Sequence, residues 1–256
     1  MKTKRLSLRL IKYELRNISG NAYIIFFGIA FPILLSILIS TAVTKQVPAE
    51  MRDQAVTGIF ISMSLIIPLA ILLMGYAASY SQELEKDIPL RLNLFGFSER
   101  SMIIAKMLAY LIFISGALII YAVVDSMILK IQVPQLSSAL CLIGSLYLLS
   151  TVLCVLAHGI ATFFRKFGPT YGAAMVLYFG FMIICGMMGI PVDQLPKGVQ
   201  FVSRAFPMSY MTSDFVNFWA KGSYNFVPLI QSFLFFGAVS CIVLILSIRK
   251  HRRIIK

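Results

Sequence analysis

The hydrophobic positions of this chain fall into six long runs, separated by short segments that hold most of the charged residues. Each run is long enough for a helix to cross a bilayer, which takes about 20 residues. This pattern predicts an all-α polytopic membrane protein, with one transmembrane domain over residues 1–256. The predicted spans cover residues 22–43, 56–80, 101–124, 136–164, 171–190 and 226–248.

The composition supports lipid as the main solvent of the chain. Hydrophobic residues make up 59% and charged residues only 13%, with a mean hydropathy of +0.87, whereas soluble domains carry about 25% charged residues. Six spans would use roughly 120 residues, so we expect short connections and no separate catalytic domain. The first run follows a basic start and lacks a cleavage site, which predicts a retained span rather than a signal peptide.

The basic residues indicate the orientation of the spans. The net charge of +13 would suggest nucleic acid in a soluble protein, but here the charges lie beside the apolar runs. With both termini inside, 17 basic residues are cytoplasmic and six are external, as the positive-inside rule requires. We therefore expect a multi-pass plasma-membrane protein with both termini in the cytoplasm and no nucleic-acid partner.

The segment before the first span, residues 3–18, has the spacing of an amphipathic helix. Its basic residues recur at intervals of four and three, beside an apolar strip. This predicts an interfacial helix on the membrane surface, whose cations contact lipid phosphates. The alternative is a topology signal with no further role. The basic residues are Arg5, Arg9, Lys12 and Arg16.

The segment after the second span is too charged to cross a membrane and too apolar for a free loop. A short amphipathic helix over residues 83–96 could fit into the groove of a partner protein, with charges that set its orientation. Pro89 suits the start of such a helix and Gly96 its end. The alternative is a solvated elbow between two spans. The candidate docking residues are Glu83, Glu85, Lys86, Asp87, Leu90, Arg91, Leu94 and Phe95.

The segment before the last span, residues 191–226, is rich in prolines and aromatic residues. Its backbone can enter the outer half of the bilayer only as helix or when buried against protein. We predict a short helix over residues 199–206 that ends at Pro207, with Trp219 and Tyr224 at the membrane interface. An ordinary external loop is the alternative. The candidate residues are Pro191, Pro196, Phe206, Pro207 and Tyr210.

The sequence offers little for catalysis. It has two histidines, no C-x-x-C pair and no G-x-x-x-x-G-K-[ST] loop, so we expect no catalytic residue, no metal site and no cofactor in this chain. Energy for active transport would then come from a partner. An ATP-independent channel or secondary transporter is one alternative, although only His158 lies well inside a span. An integral-membrane lipid enzyme is another, and would need clustered Asp, His or Cys.

Three features in order resemble the permeases of type-2 ATP-binding-cassette exporters. The first is the basic amphipathic start. The second is the segment after the second span, with ELEK at 83–86 and FSER at 97–100. The third is the outer LP at 195–196, followed by FPMSY at 206–210. Residues 87–89 depart from the Gly-Thr-Leu of the family, which leaves the start of the coupling helix open.

The resemblance implies a connecting helix over 3–18, a coupling helix over 83–96 and re-entrant external helices over 192–207. It also implies two permease chains, identical or close paralogues, and two ATPase subunits that hold ATP and Mg²⁺. The expected activity is export of an amphipathic drug, antimicrobial peptide or lipid-like molecule from a bacterial cell. The residues that contact this substrate are unassigned.

In that family the first and fifth spans meet across the two-fold axis of the permease pair. Ser36 and Ser40 form a small-xxx-small pair in the first predicted span, and Gly180, Gly186 and Gly189 lie in the fifth. Such residues allow close helix approach. By the resemblance, this pattern predicts a contact with the second permease chain.

Overall fold

The structure is a computed structural model that describes residues 7–254, without the side chains of Lys221 and residues 251–254. Helices account for 84% of it, and the described residues form no strand. Within them, six helices are long and apolar enough to cross a membrane. The predicted all-α, six-span class is thus confirmed. Spans 1 to 6 are Ala22–Thr44, Ala49–Glu85, Glu99–Ile128, Leu136–Phe164, Phe167–Ile184 and Val227–Lys250.

Shorter helices lie at both ends of the bundle. The N-terminal helix Leu8–Ser19 and the elbow helix Ile88–Leu94 lie at one end, which we call the basic end. Three outer helices lie at the opposite end, between spans 5 and 6: Lys197–Ser203, Pro207–Ser213 and Phe215–Lys221.

Span 2 is the centre of the bundle. Of its most apolar stretch 89% is buried, compared with 22% to 44% for the other five spans. Its side chains from Leu65 to Tyr76 face neighbouring helices on every side. All six spans are apolar all round, so hydropathy cannot distinguish the central helix from those that face lipid.

Spans 1 and 2 each contain a π-helical segment, and the two segments pack against each other. These are Phe26–Ala30 and Ala70–Tyr76. Pro32 follows the first and Pro68 precedes the second. Because proline has no N–H to donate to the preceding turn, it favours a local change in helical hydrogen bonding. At this contact Gly28 lies against the side chain of Ile71 in span 2, and Gly75 lies against the side chain of Ile24 in span 1.

Most observed helix ends differ from the predicted ones. Span 4 has the predicted bounds, whereas span 2 is longer at both ends. Span 5 ends at Ile184, before the predicted residue 190. The reason is local, since Gly186 and Gly189 adopt φ angles of +74° and +83°, the left-handed conformation that terminates helices.

The outer segment is more helical than predicted. The helix predicted over 199–206 is Lys197–Ser203, and Pro207 starts the next helix, because the fixed φ of proline suits a first helical turn. Trp219, predicted at the membrane interface, is instead buried. Its Nε1 donates a hydrogen bond to the Gln132 carbonyl oxygen at 2.7 Å, which ties the third outer helix to the loop between spans 3 and 4.

Candidate functional site

The segment predicted as one docking helix over 83–96 is divided in two. Glu83 and Glu85 belong to the last turns of span 2. The chain then turns at Asp87, whose φ of +53° is left-handed, a conformation that aspartate tolerates better than most residues. The elbow helix follows, with Pro89 in its first turn, and Gly96 ends it with a φ of +87°.

The elbow helix has one buried and one exposed side. Leu92 packs with Phe97 against Leu10 and Met102. On the other side, Leu90, Leu94 and Phe95 are 60%, 73% and 72% exposed. Lys86, Asp87 and Arg91 are exposed beside them. An exposed apolar patch with charges around it is typical of a protein contact surface.

Glu83, predicted as a docking residue, faces the interior of the bundle instead. Its Oε1 lies 2.5 Å from Lys106 Nζ, which is also 3.0 Å from Glu14 Oε2. The Lys106 and Glu14 side chains are only 4% and 7% exposed. The three residues therefore join the N-terminal helix, span 2 and span 3 at the basic end. We exclude Glu83 from the exposed docking surface.

The sequence contained a signal for Glu14 that we did not use. Glu14 lies four residues from both Leu10 and Ile18, and all three are buried on the same side of the N-terminal helix. A carboxylate on the apolar side of an amphipathic helix needs a cationic partner. Lys106 falls within the third predicted span, so the pattern offers it as a candidate cation, but only the structure shows that the two residues meet.

Glu85 makes a different link. Its Oε2 accepts a hydrogen bond from the backbone N–H of Phe167, the first residue of span 5, at 2.9 Å. The preceding residue, Lys166, caps this helix with no side-chain bond. A carboxylate there satisfies a free N–H and interacts favourably with the helix dipole. The last turn of span 2 thus contacts spans 3 and 5 directly, and the N-terminal helix through Lys106.

The N-terminal helix begins at Leu8 in the described part of the chain, and Arg5 lies outside the described residues. Arg9, Lys12 and Arg16 are exposed. Leu8 is also exposed, and the buried side is formed by Leu10, Glu14 and Ile18. The basic residues are therefore available for contacts outside the chain.

The outer candidate residues separate into two groups. Pro191 and Tyr210 line a pocket of about 880 Å³ between spans 1 and 2 and the outer helices. Phe206 packs against Phe181 and Phe236, with ring centroids 5.0 and 5.5 Å apart. Pro196 precedes the first outer helix and Pro207 starts the second, so both have local structural roles.

The two serines expected at the permease pair interface lie inside the bundle instead. Ser36 and Ser40 are fully buried within the chain, and Tyr121 Oη lies 3.4 Å from Ser36 Oγ. They are thus inaccessible to a second chain. Gly186 lies beyond the end of span 5, whereas Gly180 has open space beside it.

His158 forms a helix contact inside the bundle. Its Nδ1 is 2.8 Å from Tyr76 Oη, and its ring stacks on Tyr80 at 4.7 Å. Within residues 7–254, no three His, Cys, Asp or Glu side chains are arranged to hold a metal ion. The arrangement provides helix contacts within the bundle and an exposed apolar surface on the elbow helix.

Six apolar spans with an exposed amphipathic elbow at one end define a polytopic membrane protein. The family model for the ABC-2 type transporter matches residues 6–219, and the chain belongs to this family. It is a membrane permease of ABC-type transport, and the family implies an ABC ATPase partner. A search of curated proteins found no match.

Proposed function

We propose that this chain is the permease subunit of an ATP-driven exporter that moves an amphipathic molecule, such as a drug, an antimicrobial peptide or a lipid-like compound. Two copies, or this chain and a close paralogue, work with two ATPase subunits that hold ATP and Mg²⁺. The basic end lies in the cytoplasm of a bacterial cell, and the exposed cations of the N-terminal helix contact lipid phosphates. No nucleic acid is involved.

The observation that carries this proposal is the exposed apolar side of the elbow helix, which follows span 2 directly after the turn at Asp87. Leu90, Leu94 and Phe95 would fill a groove of the ATPase, and Lys86, Asp87 and Arg91 would set the orientation. Span 2 is the central helix, so a displacement of the elbow would act on the core of the bundle.

The two carboxylates at the end of span 2 support a route for this displacement. Glu85 joins the end of span 2 to span 5, and Glu83 joins it through Lys106 to span 3 and the N-terminal helix. When ATP binding draws the two ATPases together, the elbows would approach each other and these contacts would carry the motion into the spans. The permease contributes differential affinity for the substrate in its two states.

The test is coexpression of the chain with the ATPase encoded beside it, followed by copurification and ATP hydrolysis in lipid nanodiscs. Leu90→Asp with Leu94→Asp should abolish ATPase association and leave the bundle inserted. Val133→Asp is the matched control, because Val133 is 90% exposed at the opposite end. Failure of the folded wild-type chain to retain an ATPase would refute the proposal.

One observation favours an ATP-independent alternative. Asp125 in span 3 is fully buried, and neither of its carboxylate oxygens has a hydrogen bond of normal geometry. Buried ionisable residues in spans often mark ion pathways. Transport by the chain alone in ATPase-free vesicles, lost in Asp125→Asn, would support a channel or secondary transporter instead.

A further inference from the structure

A second pocket, of about 600 Å³, lies in the basic half of the bundle. The N-terminal helix and spans 1, 2, 3 and 5 all contribute to its walls. We call it the inner pocket. Its volume falls in the range of sites for drug-sized molecules. None of the described residues that line it is Asp, Glu, Lys or Arg.

The lining combines neutral polar groups with aromatic rings. Asn17, Asn21, Ser79 and Gln82 supply the polar groups. Asn21 Oδ1 caps the first turn of span 1 by accepting from Tyr23 N at 3.1 Å, which leaves the Asn21 amide nitrogen as a donor. Tyr23, Phe27, Tyr110, Phe167 and Tyr171 supply apolar surface with polar edges.

The two π-helical segments border this pocket. Phe27 belongs to the first, and Ala70, Met74 and Gly75 belong to the second. π-turns inside α-helices occur frequently at functional sites. Here they place small and flexible side chains at the pocket wall of the central helix. This is a second observation, independent of the polarity of the lining, that points to a ligand.

The pocket of about 880 Å³ beside the outer helices, which we call the outer pocket, differs from the inner pocket because charged residues line it. Asp193, Arg204 and Asp214 are among its lining residues. Asp214 accepts hydrogen bonds from Ser213 Oγ at 2.7 Å and from Tyr224 Oη at 3.1 Å, and burial raises the pKa of Tyr224, which keeps it a donor. The neutral lining is thus a property of the inner pocket and not of every cavity in this chain.

We propose that the inner pocket binds an uncharged amphipathic molecule, with an apolar body against the aromatic rings and hydrogen-bond acceptors toward the Asn and Gln amides. A charged group that enters it would lose water without gaining an ionic partner. Arg9, Lys12 and Arg16 at the same end would also repel cations. The role of the inner pocket as the substrate site rests on the proposed function. With that role, the pocket narrows the expected substrates to uncharged amphipathic molecules.

The test uses the permease alone in phosphatidylethanolamine–phosphatidylglycerol nanodiscs, with empty nanodiscs subtracted. Tritiated progesterone is the uncharged probe, and tritiated tetraphenylphosphonium is a permanently cationic one. We expect saturable progesterone binding, and binding of the cation about tenfold weaker because its charge is unpaired in the pocket. Equal affinity for both probes, or no saturable progesterone binding, would overturn the proposal.

A charge placed in the pocket should reverse this preference. Gln82→Glu should weaken progesterone binding and strengthen tetraphenylphosphonium binding, each by about tenfold, and Asn17→Asp should act in the same direction. Both positions are exposed, so folding should be retained. Gln54→Glu, the same change in the outer pocket, should alter neither affinity. Equal effects of Gln54→Glu and Gln82→Glu would contradict the assignment.

This binding assay needs no ATPase, so its outcome is separate from that of the proposed function. Progesterone binding without ATPase association would retain the site and reject the exporter. ATPase association without a preference for the uncharged probe would retain the exporter and reject the inference.

Discussion

Lys106 Nζ lies 2.5 Å from Glu83 Oε1, across the contact between the start of span 3 and the end of span 2. The same ammonium group lies 3.0 Å from Glu14 of the N-terminal helix. One buried cation thus neutralises carboxylates from two other elements. This cation links three helices at the basic end, so its removal should lower the free energy of unfolding.

Lys106→Met should destabilise the chain by about 3 to 5 kcal/mol, because it leaves two buried carboxylates without a cation. The measurement is the unfolding free energy in an SDS titration. Lys130→Met is the control, since Lys130 is exposed, and should change little. The triple variant with Glu14→Gln and Glu83→Gln should recover most of the loss. A stable Lys106→Met single variant would show that the carboxylates find other partners.

Glu85→Ala should affect coupling more than stability. It removes the hydrogen bond from Phe167 N–H to Glu85. This bond is an exposed helix cap, and such caps contribute about 0.5 to 1 kcal/mol to the free energy of unfolding. In the complex with the ATPase, transport per ATP hydrolysed should fall while hydrolysis continues. Glu50→Ala, an exposed glutamate at the opposite end, is the matched control. An unchanged ratio of transport to hydrolysis would remove Glu85 from the coupling route.

Gly28→Ala should destabilise the pair of π-helical segments. A Cβ at position 28 would lie 2.5 Å from Ile71 Cγ1, and such overpacking typically costs about 1 to 3 kcal/mol. Gly116→Ala in span 3 meets open space, so it should be neutral or stabilising by up to about 1 kcal/mol. The readout is the change in Tm of the two purified variants.

Ile71→Ala in the Gly28→Ala background tests the reason for that change. It removes the Cγ1 and Cδ1 atoms nearest the new Cβ. The double variant should lose less stability than the two single changes summed. Strict additivity would mean that the cost at position 28 arises in the backbone and not from Ile71.

Cysteine labelling tests the orientation. In a background without Cys141, Cys154, Cys185 and Cys241, a membrane-impermeant maleimide added to intact cells should label Val133→Cys. It should label Leu94→Cys only after the membrane is opened. Both side chains are highly exposed, so protection reflects the membrane and not burial. The reverse pattern would place the basic end outside.

The six spans and the all-α class were predictable from the sequence because a bilayer imposes one strong requirement on it. Each crossing needs about 20 apolar residues with internally bonded backbone. This requirement acts on each segment of the sequence separately. For span 4 it predicted both ends of the helix, residues 136 and 164. The proline and glycine signals of the elbow, Pro89 and Gly96, are local in the same way.

The roles of individual charged residues were decided by the tertiary structure. Glu83 and Glu85 are two residues apart and were both assigned to the docking surface, yet one pairs with Lys106 inside the bundle and the other caps span 5. The helical rotation between them directs their carboxylates to different neighbours. The residues of span 2 do not by themselves indicate which helices pack on each of its sides.

The sequence by itself therefore determined how many times the chain can cross a membrane, and that an amphipathic segment ending at Gly96 follows the second span. Only the tertiary structure decided that span 2 is central, that Ser36 and Ser40 face inward, and that the inner pocket has no charged lining. The reason is physical. Transfer of an apolar helix into lipid depends on its own side chains, whereas burial, ion pairing and cavities depend on side chains that distant helices bring together.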